Sequence, residues 1–299
     1  MKFTFVYLFH LIVHNRSVLR LIGYLNRRWH FLTTVFVMYP ATDEYARACG
    51  IPRRMWQIMQ WSPWLVGFYR QNGKFGLSTV ISSTEEEFRD LNNVTKLRDM
   101  VNEARQLCDL VGAPQLSFAG ILPGVLNAHR IVKGSVEAQV TVEAIVRAEK
   151  ALRVFLGMED ATPVILLGAN GFIGRRVARQ LSQRKLYPVD PTLQPQETDG
   201  HWRRDLHGLP VIVLNLATPE ALRTVAGDLW PEAVILNEVY PEPDEATCAT
   251  LRAVGCSVYH ITGLQALSIP PFPKVYRGGI PCCAGRMSDS MRPLIRKLN

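Results

Sequence analysis

Several things are scarce in this 299-residue chain. No apolar run approaches twenty residues, so nothing reads as a clean membrane span. The six cysteines (Cys49, Cys108, Cys248, Cys256, Cys282, Cys283) match neither a zinc-type spacing nor a small disulfide framework. That pattern implies a reducing, cytoplasmic compartment and no metal site. Phe3 to Val13 is apolar but contains His10 and lacks a small-residue cleavage site, so it reads as a core strand rather than a signal peptide. Acid is scarce at one end: residues 1–74 hold ten Lys/Arg against only Asp43 and Glu44, and so carry the whole surplus of +8. This quarter would attract an acidic protein, an anionic membrane surface or, less specifically, nucleic acid. No recognised nucleic-acid module accompanies it, and nucleic acid is set aside. The overall 47% hydrophobic and 20% charged content is that of a folded globular protein, long enough for two domains.

What is present centres on Val164-Ile165-Leu166-Leu167-Gly168-Ala169-Asn170-Gly171-Phe172-Ile173-Gly174-Arg175-Arg176. A buried-strand run meets three glycines at Gly-x-x-Gly-x-x-Gly spacing, and a helical pattern follows. Gly168 lets the chain leave the strand in a tight turn. Gly171 lets backbone N–H groups approach a pyrophosphate, and Gly174 lets the helix pack on its strand. Loop and first turn, Gly168 and Asn170 to Arg175, are the candidate cofactor site. Asp190 ends the next predicted strand, 22 residues after Gly168, where an acid accepts bonds from an adenosine ribose. That points to NAD(H). Arg175 and Arg176, with Arg184 and Lys185, would instead meet the 2′-phosphate of NADP(H).

Before the fingerprint, Ser17 to Trp29 is a basic amphipathic stretch and Thr33 to Met38 a strand. Met55 to Tyr69 is dense in aromatics beside Arg53, Arg54 and Arg70. It reads as a core helix broken by Pro63, or as an interfacial surface where Trp and Arg meet lipid headgroups. Gly76 to Ile81 is a strand. A cap at Ser83–Glu87 opens a helix with Phe88, Leu91, Leu97, Val101, Ala104, Cys108 and Val111 on one buried face, stopped by Gly112-Ala113-Pro114. Gln115 to Ala119 is a strand, and helices follow near Val125–Ile131 and Val140–Leu156. Past the fingerprint, strands are expected at Leu186–Asp190, Val211–Leu216, Ala233–Asn237 and, last, Cys256–His260. The alternation argues for an α/β chain with a parallel sheet. It predicts an N-terminal α/β substrate domain (1–157), a Rossmann dinucleotide-binding domain (158–275) and a C-terminal segment (276–299) returning to the cleft.

That segment, Tyr276-Arg277-Gly278-Gly279-Ile280-Pro281-Cys282-Cys283-Ala284-Gly285-Arg286, sets glycines and two arginines around a vicinal cysteine pair. Cationic neighbours lower a thiol pKa, and a thiolate there would take an acyl group from a thioester. The plainer reading is two buried small residues in a turn. A short-chain dehydrogenase is disfavoured, because no Tyr after Gly168 has Lys four residues on.

The chain resembles the cyanobacterial long-chain acyl-acyl-carrier-protein reductases. The likeness runs in order through Ala104–Cys108 to Gly112, Leu116–Ile121, Lys133-Gly134-Ser135, the fingerprint Gly168–Gly174, Val239-Tyr240-Pro241 and Cys282-Cys283-Ala284. The family's histidine after its Thr-Gly-Asn turn has no counterpart; Glu137 and Gln139 stand in that neighbourhood. The resemblance implies reduction of an acyl thioester, on acyl carrier protein or CoA, to an aldehyde. It implies NADP(H) in preference to NAD(H), Cys282 as nucleophile and Cys283 as its understudy. The basic N-terminal quarter would steer an acidic carrier protein, and its aromatics would allow peripheral membrane contact. The rival readings are a dehydrogenase of the shikimate-dehydrogenase architecture, needing no cysteine, and a non-enzymatic nucleotide-binding or membrane-adsorbed protein.

Overall fold

The computed structural model describes residues 2–40, 53–190, 206–276 and 278–299. Cys49 and Arg277 lie outside them. The chain forms two compact units, residues 1–140 with 264–291 and residues 141–263 with 292–299.

In the first unit, α1 (Lys2–Val13) and α2 (Arg16–Trp29) precede β1 (Leu32–Met38). Phe3–Val13 is therefore helical, where the sequence suggested a strand. A short apolar run has no period that separates the two, and tertiary packing decides. Here His10 stacks on Trp64 at 4.0 Å, with Phe9 near Phe68. Asn15 caps α2, its Oδ1 accepting from Ser17 N at 2.9 Å. Asn26, 1% exposed, ties the end of α2 to two elements. Its amide donates to the carbonyls of Leu32, Val111 and Gly112, and its Oδ1 accepts from Leu32 N.

After α3 (Arg53–Met59) the chain turns through Trp61, at φ 61°, and Pro63 into β2 (Trp64–Gln71) and β3 (Lys74–Val80). Of the core helix expected over Met55–Tyr69 with a break at Pro63, the part up to Met59 is helical and the part from Trp64 is strand. Helical backbone is disfavoured at a residue before proline, and Val66, Phe68 and Tyr69 are better served by a strand. Thr84 and Glu87 form a reciprocal capping box that opens α4 (Glu85–Arg89). Asp90 then caps a short 3₁₀ turn, so α5 (Val94–Val111) is separate and Leu91 points outward, 74% exposed, rather than joining the buried face. β4 (Gln115–Phe118) and α6 (Leu122–Ala128) follow. With β10 (Leu267–Ile269), the sheet order is β10-β2-β3-β1-β4. β1 runs parallel to β3 and β4, while β2 and β10 are antiparallel.

One continuous helix, α7 (Val136–Phe155), carries the chain into the second unit. The division therefore falls within it, at 140/141, and not at the expected 157/158. The second unit contains β5 (Val164–Leu167), α8 (Gly174–Gln180), β6 (Leu186–Val189), β7 (Val211–Asn215), α9 (Pro219–Val225), β8 (Ala233–Asn237), α10 (Glu245–Val254) and all but the last two residues of β9 (Ser257–Gln265). β5 to β9 are parallel in the order β6-β5-β7-β8-β9. Every residue of β5, β7 and β8 is buried, as expected of strands covered on both faces. Trp230, Val211, Val213, Ile235, Leu222 and Leu251 form the core between strands and helices. β9 is longer than expected and is not the last strand. β12 (Pro293–Lys297) pairs with it, and β11 (Gly279–Ile280) pairs antiparallel with its final residues, Leu264 and Gln265. Among the described residues, no helix is long and apolar enough to cross a membrane.

Candidate functional site

In the second unit the strand order reverses at β5, with β6 on one side and β7 on the other. The crevice outside the carboxyl ends of such strands is where open α/β sheets bind ligands. The glycine loop lies there. Gly168 leaves β5 at φ 89°, and a Cβ on it would stand 2.8 Å from the backbone N of Ala217, the residue following the end of β7 by two. A Cβ on Gly174 would stand 2.0 Å from the Gly168 carbonyl oxygen. Those two glycines are demanded by backbone packing. A Cβ on Gly171 would meet only that same carbonyl, at 3.2 Å, so its outer side is open to an approaching group. Asp190 follows β6 directly and accepts from the backbone N–H of Asn170 at 3.2 Å, which sets its carboxylate beside the loop. Asn170, Gly171 and Arg175 are exposed, and Phe172 and Ile173 half-buried. Arg176 lies over the Phe172 ring at 3.9 Å.

Two of the predicted phosphate cations are elsewhere. Lys185 precedes β6, its carbonyl accepting from Val164 N at the amino end of β5. Arg184 bonds Asp160 at 2.6 Å. Both sit at the edge opposite the loop, because a strand of four residues separates them from Asp190.

Three polar side chains close the same carboxyl edge. Asn215, Asn237 and His260 stand level on β7, β8 and β9. Asn215 donates to Asn237 Oδ1 at 2.7 Å, and the Asn237 amide donates to Val239 O at 2.8 Å and His260 Nδ1 at 2.9 Å. The Asn215 Oδ1 accepts from Ala217 N, fixing the backbone that crosses Gly168. Because Nδ1 of His260 accepts, its Nε2 carries the proton and faces Glu242 Oε1 at 3.7 Å. Glu242 also pairs with Arg296. Burial and the Arg296 charge push His260 down to about 3, so it is neutral. Tyr240 packs edge-on against it, centroids 4.7 Å apart. Next along β8 comes half-buried Glu238, whose backbone N–H donates to Asn215 O at 3.2 Å. Burial pushes its carboxyl up to about 8. Sequence reasoning passed over Asn215, Asn237, Glu238 and His260. The sequence carries only a weak signal for them: Asn215 and Asn237 each close an apolar strand run, while their level with His260 appears only in the sheet register.

The cysteine pair belongs to the first unit. Cys282–Ala284 forms one 3₁₀ turn packed on β4. Tyr69 donates to Ala284 O at 2.6 Å, and Gln71 Oε1 accepts from Arg286 N at 2.8 Å. Cys282 is buried, 7% exposed, and Cys283 is the more open of the two. Tyr39 and Tyr69, whose hydroxyls burial chiefly holds well above their ordinary pKa, lie near Cys283. Tyr39 follows β1 and is fixed at the carboxyl edge. It donates to Glu85 at 2.8 Å and accepts from Ile121 N at 3.0 Å. Of the two arginines that flank the pair in sequence, Arg286 is exposed and Arg277 lies outside the described residues. All five described cysteines are reduced. Among the described residues, no cluster of three or more His, Cys, Asp and Glu could hold a metal.

No family model matches the chain, and no curated protein matches it. Among solved structures, a shikimate dehydrogenase in complex with NADP+ is similar at 13% identity over 76% of this chain and 84% of that chain, TM-score 0.44. L-tryptophan dehydrogenase from Nostoc punctiforme is similar at 16% identity over 76% and 68%, TM-score 0.35. A carbohydrate transporter solute-binding protein from Agrobacterium radiobacter, in complex with D-arabinose, is similar at 12% over 82% and 85%, TM-score 0.31. Overlaps this loose assign neither family nor function.

Proposed function

We propose that the chain is an NADP(H)-dependent oxidoreductase that holds the dinucleotide along the carboxyl edge of its second sheet. The observation that carries this is the Asn170 N–H bonded to Asp190 beside the Gly168 turn. It joins a strand end, a glycine loop open at Gly171 and an acid on the ribose side of the switch point. Gly168, Asn170, Gly171, Phe172, Ile173 and Gly174 would cradle the pyrophosphate. Asp190 would meet the adenosine ribose, with exposed Arg175 as the cation for a 2′-phosphate. When bound, the nicotinamide would supply or accept the hydride. Glu238, on the β7–β8 side of the same edge, is the group that holds a proton near neutrality, which suits it to protonate a carbonyl oxygen as hydride arrives.

The reading that asks least is a dehydrogenase acting on a carbonyl or alcohol without a covalent intermediate. A second reading is favoured by one observation, the open Cys283 thiol beside Tyr39 and Tyr69. There a cysteine thiolate attacks an acyl thioester, the carrier thiol leaves, and hydride reduces the acyl-cysteine to an aldehyde, freeing the thiolate. This keeps the resemblance to acyl-carrier-protein reductases but moves the thiol at issue from Cys282 to Cys283. The test is NADPH turnover on oxo-acid and acyl-thioester panels by wild type and by a Cys282→Ala, Cys283→Ala double variant. Turnover surviving in the double variant supports the first reading. A thioester-dependent acyl adduct on Cys283, lost in the variant, supports the second. No turnover and no NADPH binding would refute both.

A further inference from the structure

We propose that the outer side of α1 and α2 is a docking surface for an anionic lipid bilayer. Both helices cover the same face of the first sheet, since Phe9 and Val13 of α1 and Leu19 and Ile22 of α2 enter one core cluster. Their remaining sides point away from it. On α1, Leu8, Leu11 and Ile12 are 51–61% exposed, and on α2, Leu21, Tyr24 and Trp29 are 57–70% exposed. Six large apolar or aromatic side chains on two adjoining helices exceed the scattered exposure that any surface shows.

Charge selects the occupant. α2 buries Leu19, Gly23 and Asn26, and turns Arg16, Arg20 and Arg28 outward. Arg20, Tyr24 and Arg28 fall one turn apart on that outer side. Residues 1–40 contain no Asp or Glu, whereas the neighbouring α5 exposes Asp99, Glu103 and Asp109 among its cations. A second copy of the chain would bring the same positive helices together and repel. An acidic protein would satisfy the arginines but has no need of Leu8, Leu11 and Ile12. A bilayer with anionic headgroups satisfies both: arginines at phosphate level, Tyr24 and Trp29 at the interface, aliphatic side chains below it. This surface is independent of the nucleotide site.

The test uses the full chain and sedimentation with vesicles of phosphatidylcholine alone or mixed with phosphatidylglycerol. Binding is expected on the mixed vesicles, weakening with salt, and not on phosphatidylcholine. One arginine near an anionic surface corresponds to about five-fold in affinity, so Arg20→Gln with Arg28→Gln weakens binding about thirty-fold. Leu11→Gln with Ile12→Gln also weakens it, and circular dichroism checks that both variants fold. In the unaltered protein, lipids brominated along their chains should quench Trp29, read as the difference from Trp29→Phe, which keeps the conclusion open to test if a variant misfolds. The proposal is overturned by wild type that ignores anionic vesicles at low salt, by variants that bind as wild type does, or by a solution dimer that Leu11→Gln with Ile12→Gln dissociates.

Discussion

Replacing Asn237 by leucine should open the second sheet at its carboxyl edge, and the size of the effect follows from its bonds. Asn237 is 1% exposed and makes three hydrogen bonds, at 2.7, 2.8 and 2.9 Å. Leucine shares the branching of asparagine at Cγ but is bulkier, so any overlap adds to the deficit and cannot hide it. The change strands the Asn215 amide, the Val239 carbonyl and His260 Nδ1. A buried polar group left without a partner costs roughly 1–3 kcal/mol. Val239 is half-buried and can recruit water, which leaves two full penalties and a small third, about 4 kcal/mol in all. Hydrogen exchange read by mass spectrometry on β7–β9 peptides should then accelerate about a thousand-fold for amides that exchange through opening of the unit. Asn237→Asp makes a sharper control. Its second oxygen would face Val239 O and His260 Nδ1, both acceptors, and the clash eases with a proton on Nδ1 or on the new carboxyl itself. The variant should therefore raise the His260 pKa from about 3, and its deficit should shrink as pH falls. Asn237→Leu within about 1 kcal/mol of wild type would refute this account of the edge.

Other outcomes follow from the same edge and from the thiols. Glu238 has its carboxyl raised from 4.5 to about 8, so its burial costs nothing while protonated and weighs progressively as pH climbs from about 4.5 through 8. Glu238→Gln removes that slope. Urea titrations should show the variant gaining on wild type between pH 5 and 8, by no more than ~2 kcal/mol given the half-exposed site, and a pH-independent difference would contradict it. Among described thiols, iodoacetamide at pH 8 should label Cys283 first. Cys282 is screened by burial, and burial pushes Cys108 up to about 12 and Cys256 to about 11. Peptide mapping that finds Cys282 ahead of Cys283 would reverse the assignment of the open thiol.

The glycine fingerprint was legible because its constraints are local: Gly168 and Gly174 are forced by backbone atoms within the motif and at Ala217. Asp190 was legible because strand length fixes where the next strand ends. The polar row Asn215–Asn237–His260 was not, since it exists only when three strands are set in register, and each residue alone reads as a strand terminus. Phe3–Val13 misled for the opposite reason. Its composition favours a strand, and the contacts that settle it as a helix are distant in sequence: His10 on Trp64, 54 positions along, and Phe9 near Phe68. The cysteine pair was conspicuous, but which thiol is open depends on how one 3₁₀ turn seats on β4.

The most direct measurement of the central claim is calorimetric titration of NADPH and NADH into wild type, Asp190→Ala and Arg175→Ala. The account predicts that wild type binds NADPH. Asp190→Ala should weaken NADH by about ten-fold, the worth of a charged hydrogen bond to a ribose hydroxyl. Arg175→Ala should weaken NADPH while sparing NADH. Heat signals indistinguishable from buffer for both nucleotides would contradict it, as would binding that neither substitution alters.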